Sequence, residues 1–403
     1  MAASPVILVL NAGSSSIKFA CYPLAGGAEA GQPLVHGAVL SLPEQPILEV
    51  IGSTGSVRQR LGSDPAADQF AGGLEQVLTA VIHRLQAEGA SNEAVVIHAV
   101  GHRVVHGGEA FAGPVVVTAD VREKLEKLVP LAPLHMPHNI RAIDLAATRL
   151  PGAVQVACCD TAFHRSCPPL HRRFAIPRRF HDAGLKRYGF HGLSYEFVTG
   201  RLKAACGTLP RRVVLAHLGA GASLCGLLDG QSVTTTMGYT PLDGLVMATR
   251  CGAIDPGAVL ALCERFGLTV AEVQRLLSEQ SGLLGVSEIS GDMQTLLASA
   301  DPRADEAVEL FCQSVLREVG AVAAALGGID ALCFTGGIGS NAPAIRRRVC
   351  AALGWLGIRL DEAANESCGP CGRIDAEGPT AVWVIETDEQ VVIARQVRQV
   401  VGG

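Results

Sequence analysis

The chain has 403 residues, 48% of them hydrophobic and 18% charged, a balance that marks a globular class rather than a wholly disordered chain and leaves material for two buried cores. A formal net charge of -5 and a pI of about 6.2 exclude a general attraction to nucleic acid or to an anionic membrane, so an anionic substrate has to be met by local cations. The apolar run Val6 to Leu10 is too short for a signal peptide and no stretch approaches the roughly 20 apolar residues of a membrane span, so the expected location is the cytosol.

The first predicted element is the strand Val6–Leu10. It is followed by a turn, Asn11-Ala-Gly-Ser-Ser-Ser16, and an alternating strand, Ile17–Tyr22. Strand, tight turn, strand is not the order of a Walker loop, and the GxxxxGK[ST] spacing is absent. Helical periodicity follows at about 68–88, 119–128 and 138–149, with short apolar strands at 95–100 and 153–158 between, an alternation that predicts an α/β fold. The segment His164 to His191 is basic and broken by Pro, and reads mostly as a solvated irregular excursion ending in Tyr188-Gly-Phe-His191. Val213 to Leu228 then repeats strand, Gly/Ser turn, strand, an imprecise echo of residues 6–22 that suggests duplication. Helices are expected at about 256–266, 269–277 and 304–326. A strand and turn follow over 331–341, and the chain closes with a strand at 381–385, the polar Glu386-Thr-Asp-Glu389 and a short helix.

Three Gly/Ser stretches, Asn11–Ser16, Gly219–Ser223 and Gly336–Ser340, each follow an apolar strand. Glycine lets backbone N–H groups approach an anion and serine adds hydroxyl donors, so three such turns point to a site for several phosphates. Arg103, in Gly101-His-Arg-Val-Val-His-Gly-Gly108, and Arg250, in Thr249-Arg-Cys-Gly, stand apart from other cations. A guanidinium there suits carboxylate or phosphoryl oxygens, and equally an ordinary structural ion pair. His135, His191 and His217 read either as loop histidines or as donors. Asp160 ends an apolar strand, where an Asp serves as a base, a magnesium-linked carboxylate or a helix cap. Thirteen scattered Cys suit a reducing compartment, and Cys368/Cys371, lacking a second CxxC pair, read as two free thiols in a loop.

These strings, with Ala132-Pro-Leu-His135, Asp160-Thr-Ala-Phe-His164, Arg187-Tyr-Gly-Phe-His-Gly192, His217-Leu-Gly219, Met237-Gly-Tyr-Thr-Pro241, Thr335-Gly-Gly-Ile-Gly339 and Thr387-Asp-Glu389, run through almost the whole chain. In that order they resemble the acetate and propionate kinase family of the actin-like ATPase superfamily. The resemblance implies two duplicated actin-like (ribonuclease H-like) α/β domains with a cleft between them. One would span 1–158 plus about 390–403, the other 159–389 with the adenosine site and a dimer interface. It implies a homodimer that phosphorylates acetate to acetyl phosphate with ATP, reversibly, using Mg²⁺ or Mn²⁺, without nucleic acid or membrane.

Position by position, the resemblance assigns Asn11 and Glu389 to the metal, Arg103 and Arg250 to the acid and the transferring group, and Asp160 to orienting them. His191 would donate to the phosphoryl oxygens, with His135 and His217 nearby. Val105, Leu134, Phe190 and Pro241 would hold the methyl group. The nucleotide would be met by Ser14, Ser16, Lys18, His217, Leu218, Gly219, Ala220, Gly221, Asp292, Met293, Gln294, Gly336, Gly337, Ile338, Gly339 and Asn341. Ala220, Met293-Gln294, Ser340, Asp388, Cys251 and Ala253 depart from the usual pattern, mostly near the nucleotide.

The chemistry stands without the family. A carboxylic acid with a pKa of roughly 4 to 5 is already ionised at neutral pH. It needs no base, only cations and alignment to meet an anionic phosphoryl group. Three alternatives remain within reach of the sequence: a propionate or butyrate kinase, an actin-like ATPase without a small-acid substrate, and a sugar kinase, which would use an Asp such as Asp160 as base for a hydroxyl.

Overall fold

The structure is a computed structural model, and it describes residues 4–13, 16–25, 31–42, 45–53, 55–61, 68–88 and 95–402. The chain divides into two units, Met1–Ala162 with Asp388–Gly403, and Phe163–Thr387. Each is a mixed sheet carrying helices.

The first unit holds β1 (Ser4–Ala12), β2 (Ile17–Pro23), β3 (Val35–Leu40), β4 (Ile47–Gly52), β5 (Gly55–Arg60), β6 (Val95–Val104), β7 (Val115–Val116) and β8 (Val154–Cys159). They form one sheet in the order β5-β4-β3-β2-β1-β6-β8-β7. The second holds β9 (Arg212–Leu218), β10 (Ala222–Leu228), β11 (Gln231–Thr235), β12 (Ala331–Thr335), β13 (Cys371–Arg373) and β14 (Ala381–Ile385), ordered β11-β10-β9-β12-β14-β13. The duplication is visible in the topology. In each unit a central strand pairs antiparallel with the next strand to form a hairpin, and parallel with a strand reached by a crossover. The series β3-β2-β1-β6-β8 thus matches β11-β10-β9-β12-β14.

Burial explains the elements. Phe70, Leu74, Val77, Leu78, Val81 and Leu85 recur at helical spacing on helix Gln69–Glu88 and pack on Ile17, Phe19, Val39 and Leu48 of the first sheet. In the second unit Tyr195, Val198 and Leu202 of helix Gly192–Cys206 cover Val213, Leu215, Cys225 and Cys333. Helix Pro302–Leu326 starts with Pro at its first position and an Asp301 cap, and stops at Gly327, whose φ of 70° a residue with a Cβ adopts less readily.

Several segments differ from the sequence expectation. The third Gly/Ser stretch is not an open turn but a short helix, Gly336–Asn341. Gly336 makes it possible: with φ 77° and the Leu218 carbonyl 2.7 Å from where a Cβ would stand, only glycine fits. The basic excursion contains a helix, Arg178–Asp182, and Arg187 is not merely solvated, since it pairs with Asp243 and donates to the Thr236 carbonyl. The thirteen Cys are all free thiols; Cys368 and Cys371 are half-buried.

Candidate active site

In the first unit, parallel pairing sets the carboxyl ends of β1, β6 and β8 side by side. Asn11 lies near the end of β1, Arg103 near the end of β6, and Asp160 directly after β8. Arg103 Nε donates to both Asp160 oxygens (3.3 and 3.2 Å) and Nη2 donates to Oδ2 at 2.7 Å. Its Nη1 reaches Asn11 Oδ1 at 3.3 Å and Glu389 Oε2 at 3.5 Å. Asn11 Nδ2 closes the ring by donating to the same Glu389 oxygen at 3.2 Å. Asp160 is 1% exposed. Burial by itself pulls the Arg103 guanidinium down, but the Asp160 and Glu389 carboxylates outweigh it and hold the group firmly charged.

Glu389 opens helix Glu389–Val401, where the helix dipole favours a carboxylate and Asp388 caps the Gln390 and Val391 amides. Gly101 lets that helix approach: a Cβ there would lie 2.6 Å from Ile393 and 2.7 Å from Val397. Buried Asn139, which sequence reasoning passed over, accepts from the Val105 amide and donates to the Ala12 carbonyl, tying the ends of β6 and β1 together. Nothing in a lone Asn two residues after a Pro signals this; only the fold brings 12, 105 and 139 together.

In the second unit the hairpin of β9 and β10 turns through Gly219-Ala-Gly221, and helix Gly192–Cys206 starts beside it. His191 precedes that helix with a left-handed φ of 59°. Its Nδ1 lies 2.8 Å from Ser223 Oγ, which lies 2.5 Å from the Tyr195 hydroxyl. Burial raises the Tyr195 phenol well above its ordinary value, so it keeps its proton. The consistent assignment runs Tyr195 O–H to Ser223, Ser223 O–H to His191 Nδ1, leaving His191 Nε2–H as an outward donor. The His191 and His217 rings stack at 4.1 Å, and Ser194 Oγ holds His217 Nδ1 at 2.8 Å. Arg250 donates through Nη1 to the Pro241 carbonyl at 2.8 Å. A Cβ built on Gly221 would lie 3.4 Å from both Arg250 Nη2 and His191 Nε2, so the two donors converge over a residue with no side chain.

A separate cleft of about 460 Å³ in the second unit is lined by Gly219, Ala220, Gly291, Asp292, Met293, Gln294, Gly337, Ile338, Asn341 and Ala342. It gathers eight residues that the resemblance assigns to the nucleotide. Gly221 and His217 lie with His191 and Arg250 instead. Leu218, Gly336 and Gly339 are buried beneath the cleft wall. Lys18 is exposed on β2, opposite Asn11, and the Ser16 carbonyl accepts from the Gly13 amide. Ser14 lies outside the described residues. His135 stands at the N-terminus of helix Met136–Arg149. Of the four residues that the resemblance assigns to the methyl group, Val105 and Leu134 belong to the first unit, Phe190 and Pro241 to the second. Phe190 and Val105 are buried, whereas Leu134 is 42% exposed.

Asn11 Oδ1 and the Glu389 carboxylate are hard oxygen donors that suit Mg²⁺ or Mn²⁺. Among the described residues no set of three His, Cys, Asp or Glu side chains is placed to hold a metal alone.

Comparison with known proteins agrees with this architecture. A family model described as the Acetokinase family matches residues 6–395. The chain is 49% identical to an acetate kinase of Rhodopseudomonas palustris over 409 residues, covering 99% of both. It is 43% identical to one of Methylocella silvestris over 400 residues, covering 97% of both. Among solved structures, a propionate kinase from Francisella tularensis matches with a TM-score of 0.87 at 34% identity, over 98% of this chain and 99% of that one. Porphyromonas gingivalis acetate kinase matches with a TM-score of 0.82 at 34% identity, over 97% and 98%.

Proposed function

This chain belongs to the acetokinase family, and from that premise we propose that it transfers the γ-phosphoryl group of ATP to the carboxylate of acetate, reversibly and in line, giving acetyl phosphate and ADP. The observation that carries the reading is the engagement of Asp160. A carboxylate 1% exposed and bound twofold by a guanidinium is not a base waiting for a hydroxyl proton. An acceptor that arrives already ionised, as a carboxylic acid does at neutral pH and a sugar hydroxyl does not, has no need of such a base.

Arg103, aligned by Asp160, takes the acid. Arg250 and His191 Nε2–H take the transferring phosphoryl oxygens, with His217 stacked behind His191 and His135 lending a further donor. These groups stabilise charge that is spread over the phosphoryl oxygens and hold the reactants in line, which is most of what phosphoryl transfer requires. Val105, Leu134, Phe190 and Pro241 receive the methyl group. The nucleoside lies in the 460 Å³ cleft, and Ser16 and Lys18 are assigned to its phosphates. Asn11 and Glu389 would hold Mg²⁺, which when bound neutralises phosphate charge.

Incubation of the protein with MgATP, acetate and hydroxylamine tests the activity, because hydroxylamine converts an acyl phosphate into a hydroxamate. Acetate-dependent hydroxamate is expected; ATP hydrolysis indifferent to any acid would reassign the chain to an ATPase. Propionate is the second candidate acid, on the likeness to a propionate kinase structure. One methylene in an apolar pocket changes binding by only about 1–3 kcal/mol, so the same assay with propionate and butyrate ranks the acids.

We further infer a homodimer in the cytosol. Helix Pro256–Glu264 reads Pro-Gly-Ala-Val-Leu-Ala-Leu-Cys-Glu yet has no buried residue, and Leu260, Phe266 (69% exposed) and Val270 (78% exposed) extend the same apolar surface. Sedimentation at micromolar concentration reads the state. Among the described residues no helix is long and apolar enough to cross a membrane.

A further inference from the structure

Phe190 stands between two left-handed residues, Gly189 at φ 81° and His191 at φ 59°. That conformation is costly for a residue with a Cβ, so something must hold His191 in it. The imidazole of His164 lies directly against this backbone: a Cβ on Gly189 would stand 2.6 Å from its Cδ2. His164 is 1% exposed. Its Nε2 lies 2.9 Å from the Phe190 carbonyl and its Nδ1 lies 2.9 Å from Ser232 Oγ. A carbonyl only accepts, so Nε2 carries the proton. Burial pulls the ring down to about 4, which keeps it neutral at pH 7 and leaves Nδ1 to accept from the Ser232 hydroxyl. Ser232 Oγ is also within 3.3 Å of the Cys167 and Cys225 sulfurs. Every polar atom of the imidazole thus has one assigned partner, and one of those partners is the backbone immediately before His191.

We propose that His164 is a positioning residue for phosphoryl transfer: its Nε2–H fixes the Phe190 carbonyl, so that His191 keeps its left-handed backbone and presents Nε2 beside Arg250. The proposal rests on the reading of His191 as the phosphoryl donor. His164 touches no reactant in this assignment, so its loss acts on turnover through His191 and leaves nucleotide binding in the 460 Å³ cleft alone.

Amide isosteres separate the two ring nitrogens. Gln places its amide nitrogen near the Nε2 position and restores the bond to Phe190, whereas Asn reaches only the Nδ1 position. His164→Gln is expected to keep kcat within about 3-fold, and His164→Asn to lose about 10²-fold in kcat with KM for ATP changed by less than about 3-fold. Ser232→Ala, which removes only the Nδ1 partner, is expected to stay within about 3-fold. Equal kcat for the Asn and Gln variants, or a Ser232→Ala loss as large as that of Asn, overturns the proposal. Should the Asn variant fail to fold, the comparison of Gln with Ser232→Ala decides it: a Gln variant as impaired as about 10²-fold also overturns it. His191→Ala serves as control. Impaired His191→Ala with unimpaired His164→Asn defeats this proposal alone, whereas unimpaired His191→Ala removes the role of His191 on which it rests.

Discussion

The two units hold their key arginines in opposite ways. Arg103 in the first is bound by carboxylates on two sides, Asp160 and Glu389, with Asn11 completing the ring. Arg250 in the second is oriented by a backbone carbonyl, that of Pro241, and its Nη2 points to the space over Gly221 alongside His191. One guanidinium is aligned by two carboxylates, the other by a backbone carbonyl among its partners. On the roles proposed above, both have to be held in place before charge develops on the phosphoryl oxygens, and the two units reach that end with different partners.

The sharpest way to break the comparison is to remove each arginine. Arg250→Ala and Arg103→Ala should each lower turnover by about 10³-fold or more, by analogy with other phosphoryl-transfer arginines. On its proposed role as the acid-binding group, Arg103→Ala should also raise the acetate KM more than the ATP KM. Steady-state kinetics in the acyl-phosphate-forming direction checks both, and near-normal turnover of Arg250→Ala would sink its role. A smaller effect should come from Gly221→Ala, whose methyl would stand 3.4 Å from Arg250 Nη2 and His191 Nε2. It should cost about 10-fold in kcat while leaving the thermal midpoint in place.

On the first unit's side, Gly101→Val should lower stability by about 2 kcal/mol by driving helix Glu389–Val401 off β6, read by chemical denaturation. The mildest test is acid. His102 and His106 in the first unit and His164 in the second are held neutral, burial lowering each to about 4. The unfolded chain takes up protons on these rings from about pH 6.5, so their contribution is intact above that pH and is lost as pH falls toward 4. Stability measured from pH 7 to 4 should therefore fall, and exchanging His102 for Gln should flatten the fall more than any substitution of an exposed histidine.

The sequence revealed the hairpins that define each unit, because β1, β2, β9 and β10 are apolar runs broken by Gly/Ser turns. It did not reveal β3 to β5. β5 is exposed along its whole length and has no buried face to read, while β3 and β4 bury only Val35, Val39, Leu48 and Val50 in short runs. Helix Gly192–Cys206 escaped notice for a different reason: it starts from left-handed His191 with no side-chain cap. Motif strings led to Asn11, Arg103, Asp160 and Glu389, which the fold gathers into one hydrogen-bonded set. The supporting side chains Asn139, Ser194 and Tyr195 were invisible, and Ser223 was read as a phosphate-turn hydroxyl rather than as the partner of His191, since an isolated Ser, Tyr or Asn acquires meaning only from what lies across the fold from it.

Glu389 reaches Arg103 on a helix that joins the first sheet from the far end of the polypeptide, after the whole second unit has been traversed. On the ribosome, the opening 162 residues emerge long before their closing helix. The nascent chain consequently carries Arg103 and Asp160 without Glu389 until the whole second unit has been made, and the first unit can reach its final form only after that. A chain that stops short of residue 389 lacks the third charged group of the set.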